Sequence, residues 1–197
     1  MIRQTRTRHW LWKPLRLWVS SLRCECVKRL SEWSSDGSRR YKLGRFWADA
    51  GPVAAVIGLN PSRADSDHDD PTNRRLIELM QSAGYRGYWL LNLIPFSTPY
   101  PKHLQSRGQR LSKRNRDVLL STLSVSDAVV LAWGAGGLQC AYRHEIVAMV
   151  DDPLCFGLTQ SGEPRHPLYL PRGHTGALPH STTLGSRADG VRRWHDV

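Results

Sequence analysis

Four short segments of this 197-residue chain carry side chains suited to chemistry on a ring or a sugar. In Gly58-Leu59-Asn60-Pro61-Ser62, continued by Arg63, Ala64 and Asp65, a glycine and a proline force a sharp exit from an apolar run. The exit leaves the Asn60 amide and nearby backbone N–H groups where a sugar or phosphate could sit. Asn92 lies between leucines in YWLLNLIPF. A buried amide needs a partner from the backbone or from a ligand, and it offers donor and acceptor together, as reading one edge of a nucleobase requires. VVLAWGAGG ends an apolar run in Trp133-Gly134. In Glu163-Pro164-Arg165-His166-Pro167-Leu168-Tyr169-Leu170-Pro171, prolines stiffen a loop that presents one imidazole beside apolar side chains. A histidine so held can hydrogen-bond a leaving group that is becoming an anion. Each segment also has an ordinary reading: a strand-to-loop turn, a satisfied asparagine, a core tryptophan, a structural histidine.

The elements that must position these residues alternate between short apolar runs and helix-like stretches from Tyr41 onward. Four strands are expected, over Pro52–Leu59, Tyr88–Leu93, Ala128–Ala132 and Leu154–Leu158, with helices around Thr72–Gly84 and Asn115–Leu123. Near-continuous apolar strands separated by helices imply a largely parallel sheet covered on both faces. Ligands on such sheets bind beyond the carboxyl ends of the strands, and the four chemical segments follow those ends.

The chain carries a formal charge of +11, of which residues 1–40 hold +7, so the basicity is mostly an N-terminal arm. A strongly basic balance favours polyanions, nucleic acid first and anionic membrane surface second. The arm mixes Trp10, Trp12, Trp18 and Trp33 with Arg and Lys and ends in Ser34-Ser35-Asp36-Gly37-Ser38. It reads either as a stacking and phosphate-gripping arm or as a weakly ordered extension. Lys13, Pro14 and Arg16 interrupt the apolar start before it reaches a signal core, and no segment approaches a membrane span. Four cysteines, Cys24, Cys26, Cys140 and Cys155, make no disulfide framework and fit a reducing cytoplasm. No His/Cys set has zinc spacing, and no metal or other cofactor is expected. The expected division is an extension over 1–38, an α/β domain over 39–171 and a tail over 172–197.

The order GLNPS, LLNL, VVLAWG, HPLYL resembles the uracil-DNA glycosylase superfamily, with its GQDP or GINP loop, LLLN strand, LLWG strand and HPSP loop. More closely, YKLGRFW, LNPS, DDPT, NL, WG and HPLYL resemble a bacterial family catalogued as domain of unknown function 1643, over Tyr41 to Pro171. The superfamily resemblance implies a three-layer α/β/α sandwich around the short, four-stranded sheet. It implies that Asn60 positions water, that Asn92 reads the base with Leu59 and Trp133 beside it, and that His166 stabilises the leaving base. Leu168 or Tyr169 falls where a wedge enters the gap left by a flipped base. Asn at position 60 in place of Asp resembles the mismatch-specific branch, since an amide orients water but cannot take its proton. Asp65 is the carboxylate assigned to that role, with Asp69 and Asp70 as alternatives; surface or helix-capping duty is open for all three. An aromatic residue to stack on uracil is not evident after the first loop, which points to a bulkier modified base.

Arg107, Arg110, Lys113, Arg114 and Arg116 fall in one ten-residue window beside the expected site, and with Ser62 and Arg63 are assigned to DNA phosphates. A solvated helix face is the ordinary explanation of such a run. The resulting expectation is a monomeric, monofunctional DNA glycosylase that excises a damaged or modified base, such as a glucosylated hydroxymethylcytosine, and leaves an abasic site. Lys42, Lys102 and Lys113 lie outside the four loops, so no Schiff-base lysine is in place. A role in defence against phages with modified genomes accompanies the resemblance. Two rival expectations are a nucleic-acid-binding module that lost the reaction and an N-glycosidase acting on free nucleosides or nucleotides.

Overall fold

The computed structural model describes residues 27–174, apart from 63, 66, 99 and 101–103. Its centre is a six-stranded sheet in the order β1-β2-β4-β3-β5-β6. The strands are β1 (Lys28–Trp33), β2 (Arg40–Phe46), β3 (Val53–Gly58), β4 (Gly87–Asn92), β5 (Ala128–Leu131) and β6 (Leu154–Cys155). β3 to β6 run parallel, as the apolar runs imply, and β1 and β2 add an antiparallel edge.

The expectation of four strands is therefore corrected to six. β1 and β2 read KRLSEW and RYKLGRF, whose charged residues disguise them. Two of those charges, Arg40 and Arg45, are nevertheless fully buried, at 0% exposure. β1 belongs to the segment read as the N-terminal extension.

β3 is the hub. Every residue of VAAVIG is buried, because β3 has parallel neighbours on both sides and helices on both faces. Alternate side chains divide the core in two. Ala54 and Val56 join Leu76, Leu79 and Met80 of α1 (Pro71–Ser82). Ala55 and Ile57 join Val118 and Leu119 of α3 (Lys113–Leu123) and Ile146 and Val147 of α4 (Arg143–Val147). A short α2 (Leu104–Arg107) precedes α3.

α1 starts where Asp70 caps it, accepting the Asn73 N–H at 2.8 Å, with Pro71 in the first turn, where its missing N–H costs nothing. Ser112 caps α3 in the same way through the Asn115 N–H. The loops leaving the adjacent parallel strands β3 and β5 lead to helices on opposite faces, which opens a crevice at the carboxyl edge of the sheet. Among the described residues no helix is long and apolar enough to cross a membrane.

Candidate functional site

That crevice is a cavity of about 470 Å³. Its walls are the exits of β3, β4 and β5 and the His166 loop that follows β6. Leu59, Asn60, Ser62, Asn92, Trp133, His166 and Tyr169 all line it, so the structure brings together the core of the sequence-derived set.

Asn60 is oriented by its amide nitrogen, which donates to the carbonyls of Thr98 at 3.0 Å and Pro61 at 3.1 Å. Only an NH₂ can face two carbonyls, so Oδ1 is turned away from them as an acceptor. Asn92 ends β4 at 2% exposure. Its Nδ2 is buried without a hydrogen-bond partner and its side chain lines the cavity. An orphaned buried donor costs about 1–3 kcal/mol, a cost a ligand carrying an acceptor removes.

Trp133 and His166 form one rigid corner. The Trp133 indole Nε1 donates to Glu163 Oε2 at 2.6 Å, and Glu163 Oε1 lies 3.2 Å from Arg143 Nε. The Gly134 N–H donates to the Pro164 carbonyl at 2.8 Å. Gly134 has φ +68, and a Cβ there would sit 3.0 Å from His166 Cβ, so only glycine lets the β5 exit and the histidine loop come this close. Trp133 therefore acts through packing and position, with its polar end already engaged. His166 Nδ1 accepts the Leu168 N–H at 3.3 Å. That bond assigns the proton of the neutral ring to Nε2. Burial pushes the imidazole below its ordinary value, opposed by the Asp70 charge, so the neutral form dominates near pH 7.

The acidic loop is held from behind by the two buried arginines of β2. Arg45 Nε pairs with Asp69 Oδ1 at 2.6 Å, and its Nη2 donates to the Asp65 carbonyl at 2.6 Å. Arg40 Nη1 donates to the Ala64 carbonyl, and burial lowers its guanidinium to about 10, which still leaves it charged. Asp70 accepts from the Ser62 hydroxyl and from the Asn73 N–H and side-chain amide. Burial alone would raise its carboxyl; those hydrogen bonds and the Arg40 charge outweigh it, and the group lies below the ordinary carboxylate value.

Asp65, by contrast, does not line the cavity. Its Oδ1 accepts the Asp67 and His68 N–H groups in a local turn and its side chain is 44% exposed. Asp70, bonded to the cavity-lining Ser62, is the loop carboxylate tied to the site.

The basic window lies apart from the cavity wall. Lys113 pairs with Asp117, Arg114 with Glu32 and Arg116 with Glu145; Arg107 stacks over Phe96 at 4.5 Å, and Arg110 is exposed. Tyr169 lines the cavity and is 80% exposed, whereas Leu168, at 46% exposure, does not line it. Arg63, Trp10, Trp12, Trp18, Cys24 and Cys26 lie outside the described residues. Cys140 and Cys155 are free and buried, and burial pushes the Cys140 thiol up to about 11. Among the described residues no group of three or more His, Cys, Asp or Glu is placed to hold a metal ion.

Sequence reasoning missed Ser97, Thr98 and Gln139, which line the cavity, and Arg40, Arg45 and Glu163, which brace it. Glu163 stood in the quoted loop, and its place three residues before His166 was the available signal. Nothing local marks the arginines, since burial of a guanidinium is decided by the loop folded over it.

A family profile described as Protein of unknown function (DUF1643) matches residues 40–168. No curated protein and no solved structure matches the chain.

Proposed function

Because the chain belongs to the family described as Protein of unknown function (DUF1643), we propose from its own site that it is a monofunctional DNA glycosylase acting on a damaged or modified base. The observation that carries this reading is the meeting of Asn60, Asn92 and His166 around one cavity, with the Asn92 amide donor unpaired. The loop order resembling the uracil-DNA glycosylase superfamily supports the same assignment.

In this reading a nucleotide turns out of the helix and its base enters the cavity, while Tyr169 or Leu168 fills the gap left behind. Asn92 Nδ2 donates to an acceptor on the base edge. Asn60 Oδ1 accepts from a water and aims its oxygen at the anomeric carbon. As the N-glycosidic bond stretches, its electron pair moves onto the base. The neutral His166 hydrogen-bonds the developing anion through Nε2–H. Water oxygen then bonds to the sugar carbon, and the proton it loses passes to the departing base anion, so that a neutral base leaves and an abasic site remains. Catalysis rests on positioning and electrostatics, as the amide at position 60 requires.

The test is base release from DNAs carrying uracil, a mismatched thymine, hydroxymethylcytosine or its glucosylated form, followed by alkali cleavage. Cleavage of one of them, lost in His166→Ala and Asn60→Ala, is the expected result. Silence across the panel with intact DNA binding would establish the binding module instead.

A further inference from the structure

A second orphaned group belongs to a residue of the same cavity wall. Gln139 lines it, and Gln139 Oε1 is buried with no hydrogen-bond partner, as is Asn92 Nδ2. One is an acceptor and the other a donor, and the fold satisfies neither. Buried polar side-chain atoms are ordinarily paired, so two unpaired ones of opposite sense in a single cavity call for a ligand that complements both.

Gln139 is not loosely held. It ends a 3-10 turn over Ala135–Gln139 that β5 delivers directly. A Cβ on Gly137 would fall 2.1 Å from Trp133 Cδ1, and one on Gly136 would fall 2.4 Å from Leu59 Cδ2. The turn is thus pressed against the cavity wall at two successive glycines, which fixes where Gln139 starts.

The charge of the cavity narrows the ligand further. Among the described lining residues none is Lys, Arg, Asp or Glu, and His166 is held neutral by burial. A phosphate would bring acceptors only and a charge with nothing to pair it. A neutral heterocycle with an acceptor and an N–H on its edge satisfies both groups.

We propose that Gln139 is a base-reading residue that works with Asn92, its Oε1 accepting an N–H of the bound base while Asn92 Nδ2 donates to a ring acceptor. The assignment rests on the glycosylase reading for its substrate, and it makes the deep cavity a site for a nucleobase and not for a phosphate. A polar site of this kind rejects ligands that leave its groups unpaired.

The experiment compares wild type with Gln139→Met, which keeps the side chain's length and removes the acceptor. Free uracil, cytosine, hydroxymethylcytosine and adenine, and separately inorganic phosphate, are added at millimolar concentration and the shift in Tm is read. Base release from the DNA panel is measured on the same two proteins. The expected result is a Tm shift by at least one base and none by phosphate, lost in Gln139→Met. Without ligand, the variant should melt at or above the wild-type temperature, and its kcat/KM for base release should fall about ten- to a hundredfold, the worth of one buried hydrogen bond. A variant that releases base at the wild-type rate overturns the Gln139 assignment and leaves the glycosylase reading standing. Binding of free base lost in the variant, with no release from any DNA by wild type, upholds Gln139 and removes the glycosylase. Absence of both binding and release in wild type overturns the two together.

Discussion

Trp133 and Glu163 are joined by a buried hydrogen bond of 2.6 Å between indole Nε1 and Oε2, which ties the end of β5 to the root of the His166 loop. Glu163→Ala removes that bond and leaves the Arg143 guanidinium without its carboxylate. Breaking such a buried pair costs about 3–5 kcal/mol. Urea denaturation should show a loss of this size, with base release falling alongside it. Glu163→Gln, which keeps an acceptor for the indole, should lose less; equal losses in the two variants would mean that the Trp133 bond contributes little.

Asn92 presents the opposite energetics. Its Nδ2 is buried and unpaired, so replacing the amide by an apolar side chain of similar size removes a desolvation cost of about 1–3 kcal/mol. Asn92→Leu should melt at or above the wild-type temperature and lose base release by about a hundredfold or more. A variant that unfolds easily would mean the amide is paired in the resting protein after all.

His166 makes the site sensitive to acid. Burial sets its folded value below the ordinary 6.5, so the unfolded chain binds a proton that the folded chain refuses. Its contribution to stability is complete above pH 6.5 and is lost as pH falls through the folded value. Protonation also places an N–H on Nδ1, facing the Leu168 N–H. Tm and base release should both decline on acidification below pH 6.5, and the Tm slope should flatten in His166→Asn. Identical Tm profiles for the two proteins would refute this account.

Asp70 has the same sign in a lower window. Its carboxyl lies below the ordinary 3.8, so the stability it contributes is present above that value and is lost as pH falls through the folded one. Asp70→Asn keeps an oxygen to cap α1 but removes the titration, and its Tm should depend less on pH below about 4. Asp70→Ala loses the cap as well and should cost about 1 kcal/mol more at neutral pH. Arg45→Met, by leaving Asp69 with only the part-exposed Arg29, should cost about 3–5 kcal/mol and expose the acidic loop to limited proteolysis.

The parallel half of the sheet was legible because its strands are apolar runs ending in Gly, Asn or Trp, and each exit carried a residue that lines the cavity. β3, β4 and β5 were expected within one or two residues of where they form, as was the start of α1. β1 and β2 were not legible, since KRLSEW and RYKLGRF look like solvated surface until the acidic loop covers Arg40 and Arg45. β6 is shorter than its apolar run; Leu158 meets Pro164 in an isolated bridge instead. Asp65 and Asp70 could not be told apart from spacing, because the difference lies in which one the Ser62 hydroxyl reaches.

The antiparallel edge has a practical bearing on how the protein is prepared. The family match begins at residue 40, the first residue of β2. A fragment cut there would lose β1, with its six paired positions against β2, and the Arg29–Asp69 and Glu32–Arg114 ion pairs. It would also bare a row of unsatisfied N–H and C=O groups along β2, a template on which other chains can add. Precipitation of such a fragment would report on the missing strand and not on the cavity-bearing domain, so the shortest useful version starts ahead of Lys28.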